Sequence, residues 1–177
     1  MVSSLAGDYQ AASSMKKVVI SLMGVKDLPL VLAWRSIPEV VELLPRQKER
    51  PLPWETQISW WRRRKNRMDW MVYYYGRPVG TVHFEAAGKT PEVGIMIGEV
   101  GLWGKGVGRL ALRSLLDTLF YGASLLDMVC ALVRPGNERS HRLFKSLGFR
   151  QQGTGRDGQA CYVLRREDWV KKSASSK

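Results

Sequence analysis

Nine residues near the middle of the chain, GLWGKGVGR at 101–109, have the composition of a loop that binds anions. Its glycines can take backbone angles that other residues avoid, so that successive N–H groups turn inward. A strand-like run at 92–97 precedes the loop and an amphipathic run follows it, which places the loop at a helix N-terminus, where phosphate oxygens bind. The glycines of the pattern are Gly104, Gly106 and Gly108, and the cations are Lys105 and Arg109.

Two common phosphate loops do not fit this spacing. A Walker A loop needs Lys and then Ser or Thr after its last glycine, whereas Val or Arg follows each candidate glycine here. A dinucleotide-binding fingerprint needs a third glycine where Arg109 stands, and it closes the first strand of a parallel βαβ unit, whereas this loop lies past the middle of the chain. A loop with glycines at alternate positions remains.

That loop resembles the pyrophosphate loop of the GNAT N-acetyltransferases, in which a Gln or Arg is followed by two residues, Gly, one residue, and then Gly or Ala. Gly106 and Gly108 match the two small positions. Trp103 occupies the Gln/Arg position, and its Trp-Gly-Lys-Gly sequence is similar to the branch that includes the ribosomal-protein N-acetyltransferases.

A second segment, NERSHRLFKSLGF at 137–149, resembles the GNAT helix that follows the fifth strand. That helix has an Asn, a small residue, an aromatic and a terminal Gly-Phe. Helix-capping preferences also predict a helix here, because Asn is a good N-cap and Gly suits the left-handed position that ends a helix. The matching residues are Asn137, Ser140, Phe144, Gly148 and Phe149.

The resemblance implies an α/β (α+β) GNAT fold, with a central mixed, mostly antiparallel sheet and helices on both faces. It implies acetyl-CoA as cosubstrate, with its pantetheine along the strand at 92–97 and its pyrophosphate on the glycine loop. The cofactor-binding residues implied are Met96, Ile97 and Gly98, then Trp103, Gly104, Lys105, Gly106, Val107, Gly108 and Arg109, and finally Asn137 and Phe144.

Acetyl transfer to an amine needs a neutral nucleophile, and therefore a group that removes a proton. Glu92 is the first candidate for the general base, because alternation places it on one strand face with Gly94 and Met96, and some GNAT relatives use a glutamate there. Glu99 and His83 are the alternatives, and a structural role is open for all three. The tyrosine that the family often uses as an acid corresponds to Phe144, which has no hydroxyl. A proton for the departing thiolate could instead come from solvent or from another tyrosine, for which the candidates are Tyr73, Tyr74, Tyr75, Tyr121 and Tyr162.

The N-terminal third, where GNAT proteins place acceptor-binding residues, is rich in tryptophan. Its LAWRSIPEV segment at 32–40 resembles the amino-sugar N-acetyltransferases of pseudaminic acid biosynthesis, which act on a UDP-linked amino sugar. Trp34 and Arg35 are the candidate substrate-binding residues. A nucleotide-linked amino sugar and a protein α-amine are both open as acceptors, and a polycationic aminoglycoside is less favoured by a net charge of +12.

The same charge leaves a second class of function open, a basic nucleic-acid-binding module whose glycine loop contacts backbone phosphate. The basic run at 62–67 favours this alternative. The lack of a recognition-helix pattern, and of aromatic residues spaced along a strand face, counts against it. We therefore favour the N-acetyltransferase.

Composition predicts one domain at 15–170, with a flexible leader at 1–14 and a flexible tail at 171–177. The 177 residues suffice for one core. The two cysteines, in apolar runs without zinc-site neighbours, indicate a reducing cytoplasm and no metal. No apolar run has membrane-spanning length and no signal peptide is evident, so we expect no membrane partner. A homodimer is left open.

Periodicity and turn residues predict the elements that position these groups. Strands are expected at 17–25, 69–75, 78–84, 92–97, 126–133 and 159–165. Helices are expected at 30–44 with a break at Pro38, at 54–67, at 107–121 and after Asn137. A two-residue turn is expected at 76–77 and a glycine-rich turn at 153–158.

Overall fold

One mixed sheet forms the centre of the fold. The computed structural model describes residues 17–44, 52–86, 89–122 and 126–174. Its strands are β1 (Val18–Leu22), β2 (Arg67–Tyr74), β3 (Arg77–Glu85), β4 (Glu92–Ile97), β5 (Met128–Val133), β6 (Arg150–Thr154) and β7 (Ala160–Arg165). They pair in the order β1-β2-β3-β4-β5-β7-β6, and every pair is antiparallel except β4 with β5.

Helices cover both faces of this sheet. They are α1 (Leu28–Trp34), α2 (Pro38–Leu43), α3 (Trp54–Arg63), α4 (Val107–Gly122), α5 (Glu138–Leu147) and α6 (Arg166–Ala174). Apolar residues of α4, α5 and α6 belong to one core cluster, on a side we call face A. Those of α1 and α3 belong to a second cluster on face B. The prediction of a mixed, mostly antiparallel sheet with helices on both faces is confirmed.

Strand alternation divides the residues between the two faces. On β2, Trp70 and Val72 join the face A cluster, whereas Met71 between them joins the face B cluster. On β4, Val93 is buried on face A and Met96 packs on face B. Because side chains alternate along a strand, every second residue of β4 from position 92 points to face B.

The helix after β5 forms as its local signals predict. The Asn137 side chain accepts a hydrogen bond from the Ser140 backbone N–H at 3.1 Å, which caps α5. Gly148 ends the helix with a φ of 100°, in the left-handed region. This prediction is confirmed.

Three local predictions are corrected. The hairpin turn is Tyr75–Gly76, with φ values of 47° and 76°, so the predicted turn at 76–77 is wrong by one residue. Helix α3 ends at Arg63 rather than 67, since the backbone is already extended at Arg64, with a ψ of 132°, and Asn66, with a φ of 53°, then leads the chain into β2. The predicted glycine-rich turn at 153–158 overlaps β6, whose residues are all exposed and therefore give no alternating pattern.

The ends of the chain differ in what the structure describes. Helix α6 runs to Ala174, into the segment predicted as a tail. The predicted leader lies outside the described residues. None of the described helices is long and apolar enough to cross a membrane.

Trp34 fixes α1 against the end of β4. Its side chain is buried, and the indole occupies the space that a Cβ on Gly98 would need. Its Nε1 donates a hydrogen bond to Glu99 Oε1 at 3.1 Å. The absence of a side chain at Gly98 therefore sets how closely α1 approaches the sheet.

We expect Gly98→Ala to destabilise the fold, because the new methyl group and the Trp34 ring would overlap. Overpacking a buried site typically costs about 1–3 kcal/mol, and we expect the upper part of that range in urea unfolding. The matched control is Gly101→Ala, since a Cβ there meets nothing within 4 Å. Equal unfolding midpoints for the two variants would contradict the packing argument.

Candidate active site

A wedge between β4 and β5 forms the centre of the candidate site. The two parallel strands pair only at Glu92 and Cys130, where the Cys130 N–H donates to the Pro91 carbonyl at 2.8 Å. Beyond this point they separate, so the edge of β4 toward Ile97 has no strand partner on that side. An extended ligand with amide groups can pair with such an edge.

The glycine loop lies at the open end of the wedge and leads directly into α4. Gly104 and Gly106 have φ values of 77° and 81°, which non-glycine residues rarely adopt. The first N–H groups of α4, starting at Val107, have no intrahelical acceptors, and the helix dipole adds positive potential. The loop thus has the geometry expected for binding phosphate groups.

Gly108 serves a different purpose. It is not among the residues with positive φ, and a Cβ there would lie 3.3 Å from the Ile95 side chain and 3.5 Å from that of Leu143. The small residue lets the start of α4 approach both β4 and α5. The backbone argument for glycine therefore applies to Gly104 and Gly106, and a packing argument applies to Gly108.

A cleft of about 370 Å³ joins the wedge to the loop. Its walls are β4, the start of α4, helix α5 and the end of α2. The predicted residues that line it are Met96, Ile97, Trp103, Gly104, Gly106, Gly108, Arg109 and Asn137. Sequence analysis matched Ser140 to the second motif without assigning it to the cofactor site, and it missed the other lining residues, including Arg139, Arg142, Leu143, Leu43 and Leu44. The α5 residues in this list, Arg139, Ser140, Arg142 and Leu143, occur at helical spacing, which can be read from the sequence.

Trp103 bridges two walls of the cleft. Its Nε1 donates to the Ile97 carbonyl at 2.8 Å, which satisfies one acceptor of the open β4 edge. The Arg139 guanidinium lies 4.7 Å from the centre of the Trp103 ring, within cation–π range. The tryptophan at this motif position thus orients an α5 arginine toward the loop.

Four predicted cofactor residues are not on the cleft wall. Phe144 is buried in the face A core, with its ring 5.1 Å from that of Phe149. The Gly98 N–H donates to the Val79 carbonyl on β3. Lys105 and Val107 belong to the loop and to the first turn of α4, where their backbone can still take part.

On face B, Asp69, His83 and Gly94 form one row across β2, β3 and β4. The imidazole of His83 lies against Gly94, in the space that a Cβ would occupy. Gly94 lies two residues past Glu92, where the wedge begins to open. His83 and Glu92 therefore flank the narrow end of the wedge on face B.

The third catalytic candidate is placed differently. Glu99 lies beyond the end of β4, is exposed, and accepts the hydrogen bond from Trp34. Of the two substrate-binding candidates, Trp34 is buried against Gly98, whereas Arg35 directly after α1 is partly exposed and contacts Gln57 on α3.

Asp69 next to His83 is already paired with arginine. Arg67 donates three hydrogen bonds of 2.9–3.2 Å to its carboxylate, and Arg64 lies 3.6 Å away. Arg67 also donates to Glu85 at 2.8 Å. Burial, and then the Arg67 charge, hold the pKa of His83 well below its usual value, so its imidazole is neutral near pH 7.

Gln57 completes this polar layer beneath α3. It is the one buried residue of the helix, with 1 % of its surface exposed. Arg35 Nη1 donates to its Oε1 at 3.4 Å, but its Nε2 has no hydrogen-bond partner among the described residues. A buried donor left unpaired costs about 1–3 kcal/mol. Nothing in the sequence distinguishes Gln57, because it is one polar residue in a polar helix.

Two further kinds of site have little support among the described residues, a metal centre and a continuous basic surface. Among the described residues, no group of three His, Cys, Asp or Glu side chains could hold a metal ion. The basic run is divided, because Arg64 covers the Trp61 ring at 3.0 Å and Arg67 binds Asp69, whereas Arg62 and Arg63 are exposed.

The fold is that of the acetyltransferase (GNAT) domain family. The model of the acetyltransferase (GNAT) domain family matches residues 17–150, and the chain belongs to that family. An uncharacterised protein of Methanocaldococcus jannaschii, MJ1062, is 38% identical over 157 residues, which is 84% of this chain and 31% of that protein. This chain therefore spans about a third of that relative.

Solved structures agree with this assignment. A domain from M. jannaschii has a TM-score of 0.77 at 37% identity, covering 84% of this chain and 98% of that one. The aminoglycoside acetyltransferase AAC(6')-Ib, solved with coenzyme A and kanamycin, has a TM-score of 0.78 at 20% identity, covering 88% and 99%. At that identity the second comparison shows the fold alone.

We expect Gly106→Val to weaken CoA binding at least about tenfold in calorimetry. A left-handed φ costs a non-glycine residue about 1–2 kcal/mol, and relaxation of the loop would turn its N–H groups away from the phosphates. The control is Gly101→Val nearby, which has open space and no positive φ. Unchanged affinity in a folded Gly106→Val variant would contradict this placement of the phosphates.

We expect Arg67→Gln to raise the pKa of His83. The substitution removes a repelling charge and leaves the Asp69 carboxylate free to accept a hydrogen bond from the imidazolium. Proton NMR can follow this titration, since the chain has two histidines and their ring signals can be assigned separately.

The control for this prediction adds Asp69→Asn to Arg67→Gln, which removes the carboxylate as well. The pKa of His83 should then rise less than in Arg67→Gln alone. Glu85 and Glu92 also lie near His83 on face B and are present in every variant. The same His83 pKa in the wild type and in Arg67→Gln would show that the pairing has no influence on the imidazole.

Proposed function

We propose that this chain is an acetyl-CoA-dependent N-acetyltransferase that transfers the acetyl group directly to a primary amine. The observation that carries the proposal is the open edge of β4 leading to a glycine loop at the N-terminus of α4. This arrangement offers backbone groups to a pantetheine chain and N–H groups to a pyrophosphate. The acceptor is a small molecule, for which a nucleotide-linked amino sugar is one class, or a protein α-amine.

In this proposal the thioester lies at the narrow end of the wedge and the amine approaches from face B. The amine nitrogen attacks the carbonyl carbon, the C–S bond breaks, and the thiolate leaves and takes a proton from solvent. Glu92 is the first candidate for the base that accepts the amine proton, since it lies where the wedge closes. His83 is one alternative, because its neutral imidazole lies against Gly94, and Glu99 beyond the end of β4 is the other.

The nucleic-acid-binding alternative has less support. Its main sequence feature was the basic run at 62–67, and in that run Arg64 and Arg67 are directed inward, to Trp61 and Asp69. The exposed cations of the run are Arg62, Arg63 and Lys65. The enzyme proposal uses both the glycine loop and the wedge, whereas the binding module uses only the loop.

A thiol-release assay with acetyl-CoA tests the proposal. It should be run against amino sugars, nucleotide-linked amino sugars, peptides with a free α-amine and polyamines. Release that depends on an amine, with an acetylated product in mass spectrometry, is expected for one of these classes. Absence of CoA binding at millimolar concentration in calorimetry would refute the proposal.

Glu92→Gln tests the first candidate base against the alternatives. If Glu92 accepts the proton, turnover should fall about a hundredfold or more with CoA affinity unchanged, and the loss should shrink at high pH as free amine accumulates. His83→Gln is the matched variant across the wedge. A normal rate in Glu92→Gln together with a large loss in His83→Gln would assign the role to the histidine.

A further inference from the structure

Helix α2 ends beside the open wedge, and Arg134 binds the last carbonyls of this helix. Its Nη1 donates hydrogen bonds to the Glu42 carbonyl at 2.9 Å and to the Leu44 carbonyl at 3.1 Å. The last carbonyls of a helix have no intrahelical partners, and they lie at the negative end of the helix dipole. A guanidinium suits this position, because it supplies both a hydrogen-bond donor and a positive charge.

The two partners in this contact belong to opposite sides of the wedge. Arg134 directly follows β5, past the point where that strand separates from β4. Helix α2 follows α1, which is fixed to the end of β4 by the packing of Trp34 against Gly98. The contact therefore joins the β5 side to the β4 side at a level where the two strands are no longer paired.

The backbone of Arg134 is itself held by helix α5. His141 Nε2 lies 3.2 Å from the Arg134 carbonyl, and because a carbonyl only accepts, the imidazole donates this hydrogen bond. The other ring nitrogen, Nδ1, lies 2.9 Å from the hydroxyl of Tyr162, a residue of the face A core. The guanidinium thus reaches α2 from a backbone position that α5 and the core fix.

Helix α2 contributes apolar surface to the cleft. Val40, Leu43 and Leu44 line it together with Ile95 and Ile97 of β4. A pantetheine arm carries methyl and methylene groups between its amides, and these groups gain free energy when they leave water for an apolar wall. The α2 wall offers no cations, so it suits the arm of CoA and not its phosphates.

We propose that Arg134 is a positioning residue, which holds α2 beside the wedge as the wall against which the pantetheine arm of CoA packs. Arg134 contacts α2 and not the cofactor, and it acts on binding through Leu43 and Leu44. This inference rests on the proposed function. It adds part of the N-terminal third, where only acceptor-binding residues were expected, to the cofactor site.

The test compares dephospho-CoA with ADP, which share adenosine and pyrophosphate and differ by the pantetheine arm. Calorimetry of the full chain measures dephospho-CoA directly and ADP by competition. In Arg134→Ala, the affinity for dephospho-CoA should fall about fivefold or more, whereas the affinity for ADP should change less than about twofold. Equal losses for both ligands would mean that Arg134 supports the site in general, and would overturn the inference.

Arg165→Ala is the matched control. Arg165 is exposed and pairs with Met128 at the start of β5, whereas Arg134 follows the end of that strand. The control therefore removes the same charge without touching α2, and its affinity for dephospho-CoA should equal that of the wild type. Unchanged affinity in Arg134→Ala overturns the inference. A wild type that binds dephospho-CoA no more tightly than ADP does so too, because the wall then contributes nothing to the arm.

Hydrogen exchange measures whether α2 is the element that Arg134 holds. In ligand-free Arg134→Ala, the amides at 39–44 should exchange about tenfold faster than in the wild type, with the exchange of α4 unchanged. In the wild type, dephospho-CoA should slow exchange at 39–44 and ADP should not. Unchanged exchange at 39–44 in the variant, or equal acceleration in α4, overturns the inference.

Failure of the proposed function gives a different result. Absence of CoA binding by the wild type refutes the acetyltransferase proposal before any variant is compared. Normal CoA binding, with Arg134→Ala behaving as the wild type, refutes only the positioning role.

Discussion

The separation of β4 from β5 is the constraint on which the rest of this structure depends. One pairing, Glu92 with Cys130, holds the two strands together, and past it the edge of β4 has no neighbouring strand. Open edges are normally protected against pairing with another chain. Here helix α5 and the glycine loop border the opening, so it forms a cleft of about 370 Å³ and not an exposed sheet edge. The cleft and the catalytic candidates are arranged around it.

The two faces of the sheet have different chemistry. Face A is apolar beneath α4, α5 and α6, and it supports the loop with a rigid core. Face B carries a polar layer in which Arg67 connects Asp69 to Glu85. Buried ion pairs contribute little to stability once desolvation is included.

Glycines connect these two regions for distinct reasons. Gly106 is needed for its left-handed backbone, which lets the loop turn into α4. Gly94 is needed for space, since the His83 ring lies where its Cβ would be. The His83 imidazole therefore lies close to β4 on face B, and β4 is the strand on which the reaction is proposed to occur. Burial and the neighbouring Arg67 keep this imidazole neutral.

The sequence by itself determined the features that depend on near neighbours. The glycine spacing of the loop, the Asn137 cap, the Gly148 end of α5 and the bounds of β4 all follow from local backbone preferences and side-chain periodicity. Tertiary structure decided the rest. The single β4–β5 pairing, the inward turn of Arg64 and Arg67, and the burial of Gln57 each depend on residues far apart in the chain. The identity of a polar residue does not indicate which group it will pair with, because that depends on which groups packing brings together and removes from water. These interactions could therefore be identified only in the folded protein.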